Sequence, residues 1–283
     1  MAKTMSKNRL VQPFLKWAGG KRQLISEIEK YIPKGFKTYY EPFLGGGAVL
    51  FHLQPKKAIV NDYNSELINV YNVIKNNVDD LINDLKKHKN EEEYYYKVRE
   101  MDRTGEIEQL SDIEKASRII FLNKTCYNGL FRVNSRGEFN TPFGRYKNPN
   151  IINEITLRAV SKYLNENDIT FLNVDFEEAL KGIRKDSFVY FDPPYYPVSD
   201  SSNFTGYTFD GFSEDDQIRL KKVCDKLTDK GVKFLLSNSS AKFITDLYAD
   251  YKIVRVRASR SINSVADKRG EIDEILVMNY EID

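Results

Sequence analysis

The sequence predicts an α/β fold: a mostly parallel sheet with helices on both faces and an antiparallel pair of strands near the end of the chain. Short apolar runs at 37–43, 58–62, 169–172, 188–191 and 232–237 alternate with stretches of helical periodicity, and strands separated by helices pair as parallel neighbours covered on both faces. The last two apolar runs, "KIVRVRA" and "EILVMNY", read as a terminal antiparallel pair. Residues 76–160 break the alternation. They predict an inserted domain, with 1–75 and 161–283 forming the main one.

Taken in order, residues 21–31 carry Leu24, Ile25 and Ile28 at helical spacing and stop near Pro33. "KTYYEPF" is a short strand, and the turn "LGGGAVLFHL" is helical in its latter half. "AIVND" is the second strand, and "SELINVYNVI" is a helix with Ser65 as its expected cap. Residues 76–125 are helical throughout. Gly, Asn and Pro then punctuate "NGLFRVNSRGEFNTPFGRYKNP", which predicts a β-hairpin around "NSRGE". Helices are expected again at 151–165 and 213–229.

Composition narrows the chemistry. With 41% hydrophobic and 30% charged residues in 283, the chain has a globular balance. No apolar run reaches bilayer-spanning length. The start "MAKTMSKNRL" lacks the apolar segment of a signal peptide, so a cytoplasmic location is expected, with a monomer as the default. Cys126 and Cys224 have no metal-ligand spacing, and His52 and His88 are the only histidines, so no metal site is expected. Carboxylates, tyrosines, lysines and backbone are left to do the work.

The net charge of +2 is unevenly distributed. Arg132, Arg136, Arg145 and Lys147 face one acid, Glu138, and Arg255, Arg257, Arg260, Lys268 and Arg269 face only Asp267. Residues 91–114 instead carry nine acids. Two basic islands in a near-neutral chain suit a polyanion, although a charge cluster is also what a solvated face looks like.

Three strand ends suggest an adenosine-containing ligand. Gly45, Gly46 and Gly47 follow a strand and precede a helix, where glycine permits a sharp turn and close ligand approach; the dinucleotide pattern fails at Leu50. Asp62 ends the next strand, where an acid can accept from ribose hydroxyls. Asp175 and Phe176 end another, where an acid and a ring could hold an adenine. Each alone is ordinary turn or cap chemistry.

"FVYFDPPYYP" then closes a buried run on a carboxylate. Pro193 and Pro194 fix φ and remove backbone donors, so with Asp192 the turn offers acceptors only. Acceptors suit an –NH₂ group. Hydrogen bonds from an aromatic amine to Asp192 and the Pro193 carbonyl would draw its nitrogen toward tetrahedral geometry and free its lone pair. Tyr195 could stack on the base. A rigid turn is the plain alternative.

Together, "FLKWAGGKRQL", "EPFLGGGAVLF", "DYN", "DPPY", the segment "YNGLFRVNSRGEFNTPFGRYKNP", "NFTGYTFDGFS" and "RASRSINS" resemble the Dam-type DNA adenine-N6 methyltransferases from about residue 12 to 280. The resemblance implies a class I methyltransferase sheet, Rossmann-like, with S-adenosylmethionine over the strand ends and an inserted target-recognition domain. It implies that Trp17, Ala18, Gly19, Lys21, Phe43, Gly45, Gly46, Gly47, Asp62, Asp175, Phe176 and Asp192 bind the cofactor. Asp192, Pro193, Pro194 and Tyr195 would hold an adenine flipped from double-stranded DNA. In that family the hairpin reads GATC. Arg132 would contact guanine, Leu130 and Pro142 thymine, Lys16 the first guanine, Tyr127 the gap left by flipping, and Arg145 and Lys147 phosphates, with Asn128 beside them. Residues 255–270 would clamp the backbone. "SINSVADKRG" departs from the family pattern, so no contacts are assigned within it.

Rival readings are a methyltransferase for cytosine N4 or a glutamine amide, a DNA-binding protein on an inactive methyltransferase fold, and a nicotinamide oxidoreductase. Asp192 in place of the usual Ser or Asn, the intact turn, and Leu50 respectively speak against them.

Overall fold

The computed structural model describes residues 7–198, 211–259 and 271–282. Its strands are β1 (Thr38–Glu41), β2 (Lys57–Asn61), β3 (Asp168–Leu172), β4 (Ser187–Phe191), β5 (Lys233–Ser239), β6 (Lys252–Ser259) and β7 (Glu271–Met278). They form one sheet in the order β3-β2-β1-β4-β5-β7-β6. β1 pairs in parallel with β2 and β4, and β4 with β5. β7 lies antiparallel between β5 and β6. The terminal pair therefore inserts as a hairpin whose second strand docks first, the arrangement that completes a mixed sheet.

The helices are α1 (Ile25–Lys30), α2 (Ala48–Leu53), α3 (Ser65–Asn76), α4 (Val78–Leu85), α5 (Glu92–Thr104), α6 (Asp112–Thr125), α7 (Glu154–Glu166), α8 (Glu214–Asp229) and α9 (Lys242–Leu247). None of the described helices is long and apolar enough to cross a membrane. α9 was not expected, being only six residues long, too short to show periodicity. The cap of α3 is Asn64, whose side chain accepts from the Leu67 N–H. Ser65 is the first helical residue, so the expected cap is displaced by one.

Contacts divide the chain into two compact units. One comprises 1–20, 45–56 and 64–173, and the other 21–44, 57–63 and 174–283. The second contains the sheet centre. All five residues of β4 are buried, and Phe191, Leu236, Leu220, Cys224 and Ile244 pack together in its core. In the first, Phe14, Phe51, Tyr71 and Phe171 pack ring on ring in tilted, edge-to-face and parallel contacts, and Arg118, 2% exposed, donates to the Val98 and Arg99 carbonyls and pairs with Asp102.

The hairpin around "NSRGE" is only partly formed. The turn is present, with Gly137 N–H donating to the Asn134 carbonyl and Asn134 N–H to that of Glu138. The arms meet in two isolated bridges, Val133 with Phe139 and Cys126 with Phe143, and no ladder develops. The cause is local. Asn128 and Gly129 have φ of 57° and 65°, so the first arm coils through a short 3-10 turn at Tyr127–Gly129. Side chains complete the pairing: Thr141 Oγ1 donates to the Leu130 carbonyl at 2.6 Å, and Arg132 Nη2 to that of Asn140 at 2.7 Å.

Candidate active site

β1 lies between β2 and β4, so the strand order reverses beside it. Such a switch point leaves a crevice at the strand carboxyl ends where ligands bind. β1 leads into Pro42 and Phe43, β2 into Asp62, and β4 into Asp192.

Around Asp192 the second unit assembles a small ionic cluster. Lys21, 5% exposed, places Nζ 2.9 Å from Asp192 Oδ1 and 4.5 Å from the centre of the Tyr195 ring. Tyr195 donates its hydroxyl to Glu274 on β7 at 2.6 Å. The Asp192 carboxylate thus already accepts from an N–H donor beside an aromatic face, as a strand-end amine acceptor should. Burial pushes its pKa up to about 6, Lys21 opposes the rise, and Glu274 adds to it. Burial, with Asp192 and Glu274, also raises the Tyr195 phenol, which keeps it a neutral donor.

Protonation turns Asp192 from acceptor to donor and ends its attraction to Lys21. Turnover that depends on the ionised form is therefore expected to rise with pH through an apparent pKa of about 6 and level off above it. A flat kcat/KM profile between about pH 5 and 8 would show that Asp192 is not the titrating group.

Phe43 and Phe176 pack with centroids 5.4 Å apart. That spacing leaves no slot between them for a planar ligand. Arg219 of α8 covers Phe176 at 4.3 Å. Its Nη2 reaches Asp175 Oδ2 at 2.9 Å, while Asp175 Oδ1 accepts the Glu177 N–H. Asp175 stands three residues beyond β3 rather than at the strand end, and each of its oxygens has a partner. Asp62 directly follows β2 and is half-buried.

In the first unit the glycine turn packs closely against aromatic side chains. A Cβ on Gly45 would lie 3.0 Å from the Trp17 ring, one on Gly46 3.2 Å from Trp17 Cβ, and one on Gly47 2.8 Å from the Tyr71 hydroxyl. Gly45 and Gly47 have φ of 49° and 67°, which L side chains rarely adopt. Tyr71 fixes the turn by donating to the Gly45 carbonyl at 2.9 Å. Trp17 stacks on Phe131 with centroids 4.7 Å apart, and Ala18 and Gly19 follow it along the chain.

Asn123 of α6 joins this segment to the loop at 127–143. It accepts from Lys16 N–H and donates to the Lys16 and Gly129 carbonyls. Lys16, Tyr127, Asn128, Pro142, Arg145 and Lys147 are exposed, while Leu130 and Arg132 are half-buried. Arg145 pairs with Glu92 at 3.4 Å. Arg255 and Arg257 lie on β6, whereas Arg260, Lys268, Arg269 and most of "NFTGYTFDGFS" fall outside the described residues.

Glu274, Arg219, Gln217 and Asn238 were missed in the sequence reading. Gln217 offered a signal, as a polar residue in register with the buried stripe Leu220, Cys224 and Leu227. Glu274 offered another, an acid preceding the buried run Ile275–Met278.

Residues 17–262 match the family of D12 class N6 adenine-specific DNA methyltransferases. The chain is 46% identical over 279 residues to the type II methyltransferase M1.LlaDCHI of Lactococcus lactis subsp. cremoris, covering 98% of each. It is 47% identical to the type II methyltransferase M.MjaIII of Methanocaldococcus jannaschii, covering 95% of this chain and 99% of that one. It is 34% identical to the DNA adenine methylase of Escherichia coli (strain K12), covering 97% and 96%. The chain belongs to the D12 class of N6 adenine-specific DNA methyltransferases.

Proposed function

We propose that this chain transfers a methyl group from S-adenosylmethionine to adenine N6 at GATC in double-stranded DNA, with the target base flipped into the turn at 192–195. The carrying observation is the Asp192 cluster, where a half-buried strand-end carboxylate meets an N–H donor beside the pinned ring of Tyr195. Flipping costs on the order of a few kcal/mol of stacking, which Tyr195 offsets by stacking on the extruded base. Asp192 and the Pro193 carbonyl take the two N6 hydrogens, localise the lone pair on nitrogen and stabilise the positive charge that develops there.

The side-chain-free glycine turn beside Trp17 suits close approach of a nucleoside with a sulfonium side chain. In this reading Trp17, Ala18, Gly19, Lys21, Phe43 and Gly45 to Gly47 line the cofactor site, Asp62 takes the ribose, and Asp175 with Phe176 the adenine. When bound, S-adenosylmethionine supplies a sulfonium methyl, and the electron pair of the broken C–S bond stays on sulfur as N6–C forms. The proton shed by nitrogen goes to water. Residues 76–160 serve as the target-recognition domain, with Lys16, Tyr127, Asn128, Leu130, Arg132, Pro142, Arg145 and Lys147 on DNA. GATC is favoured by the resemblance of the loop "YNGLFRVNSRGEFNTPFGRYKNP" to the hairpin of Dam-type enzymes, and adenine by likeness to proteins named DNA adenine methylase.

The test uses methyl-labelled S-adenosylmethionine and two duplexes differing only in GATC versus GTAC. Label recovered as N6-methyladenine on GATC alone is expected. Label on both keeps the chemistry and removes the assigned site, and label on neither removes the function.

A further inference from the structure

The turn at 192–195 is held by more than its prolines. With φ of Pro193 and Pro194 fixed by their rings, its shape depends on the ψ angles. ψ of Pro194 aims the Pro194 carbonyl, and ψ of Tyr195 aims the Tyr196 N–H. Each group meets one of two side-chain amides, both fully buried. Gln217 Nε2 on α8 donates to the Pro194 carbonyl at 3.0 Å. Asn238 Oδ1 on β5 accepts from the Tyr196 N–H at 3.2 Å and from the Ser239 N–H at 2.8 Å. The amides join at 3.0 Å, Asn238 Nδ2 donating to Gln217 Oε1.

The relay has only one workable direction. A carbonyl needs a donor at one end and two N–H groups need an acceptor at the other, so neither amide can turn over without placing like against like. Burial makes such a mismatch costly. Tyr195 sits between the two pinned peptide groups, with its hydroxyl pinned separately by Glu274.

We propose that Gln217 and Asn238 are positioning residues for methyl transfer, a directional amide relay that sets the backbone on both sides of Tyr195 and so fixes the ring that receives the target base. Neither residue needs to touch DNA or cofactor for this role. The proposal rests on the reading of 192–195 as the target-base site. It deepens that reading by assigning the geometry of the turn to two side chains outside the motif.

The test compares Gln217→Met, Asn238→Asp and the double variant in the full-length protein. Gln217→Met keeps length and volume but donates nothing. Asn238→Asp still accepts both N–H groups, but it turns Gln217 over and sets an oxygen against the Pro194 carbonyl. Each single variant is expected to slow single-turnover methylation of a GATC duplex about 30- to 100-fold, the scale set by small misplacements of reacting groups. S-adenosylmethionine Kd and duplex KM should stay within about threefold, and the double variant within about twofold of the slower single one, because all three break one path. A natively melting Gln217→Met protein with a near-native rate would overturn the proposal, as would an equal loss of cofactor affinity. Should Gln217→Met fail to fold, Asn238→Asp carries the same reading, and failure of both assigns the relay to stability instead. A native protein that methylates no adenine removes the proposed function, a result distinct from all of these.

Discussion

Asp192→Ala is expected to lower methyl transfer by about 10³-fold or more, the scale of losing a preorganised group aimed at developing charge, while S-adenosylmethionine still binds within a modest factor. The substitution also takes a carboxylate away from the Lys21 ammonium, whose Nζ lies 2.9 Å from Asp192 in a nearly buried position. Breaking a buried pair costs about 3–5 kcal/mol, so a lower melting temperature accompanies the lost activity. Asp192→Asn separates the two effects, because it keeps the volume and one acceptor oxygen. Its melting temperature should lie between those of the native and alanine forms, with transfer still down about 10²-fold. An asparagine variant with near-native turnover would show that Asp192 serves Lys21 and the fold rather than the amine.

Arg132→Ala is expected to relax the choice of site by about 1–3 kcal/mol, a drop of about 5- to 150-fold in the proposed preference for GATC over a single-base variant. Binding to random duplex should change far less. Arg132 spends one guanidinium nitrogen on the Asn140 carbonyl, and its Nε is buried with no hydrogen-bond partner among the described residues. Competition binding with cognate, single-mismatch and random duplexes measures the difference. An equal loss on all three would make Arg132 a phosphate contact.

Much of this was legible in the sequence because it depended on periodicity and on residues with few uses. The alternation of runs pointed to the parallel core, and "DPPY" after an apolar run put a carboxylate and two prolines at a strand end. The partners of Asp192 and Tyr195 were harder to read. Glu274 lies 79 residues from Tyr195 and Asn238 lies 42 from Tyr196, and only the folded sheet brings them together. The hairpin was overestimated for a related reason. Glycine and asparagine marked the turn correctly, but the positive φ of Asn128 and Gly129, which prevents a ladder, is a choice that local sequence allows without dictating. The Arg219 partner of Asp175 was equally hidden, because it arrives from 44 residues away.

The Asn123 latch bears on how such proteins can be re-engineered. One buried side chain ties the Lys16 peptide to the Gly129 carbonyl, and one ring stack ties Trp17 to Phe131. Residues 127–143 are therefore not a detachable cassette. A loop transplanted from a relative arrives with its own demands on positions 16, 17 and 123, and a swap that ignores them disturbs the segment ahead of the glycines before it alters any base preference. The smallest unit that can be exchanged cleanly is the loop together with these three anchors.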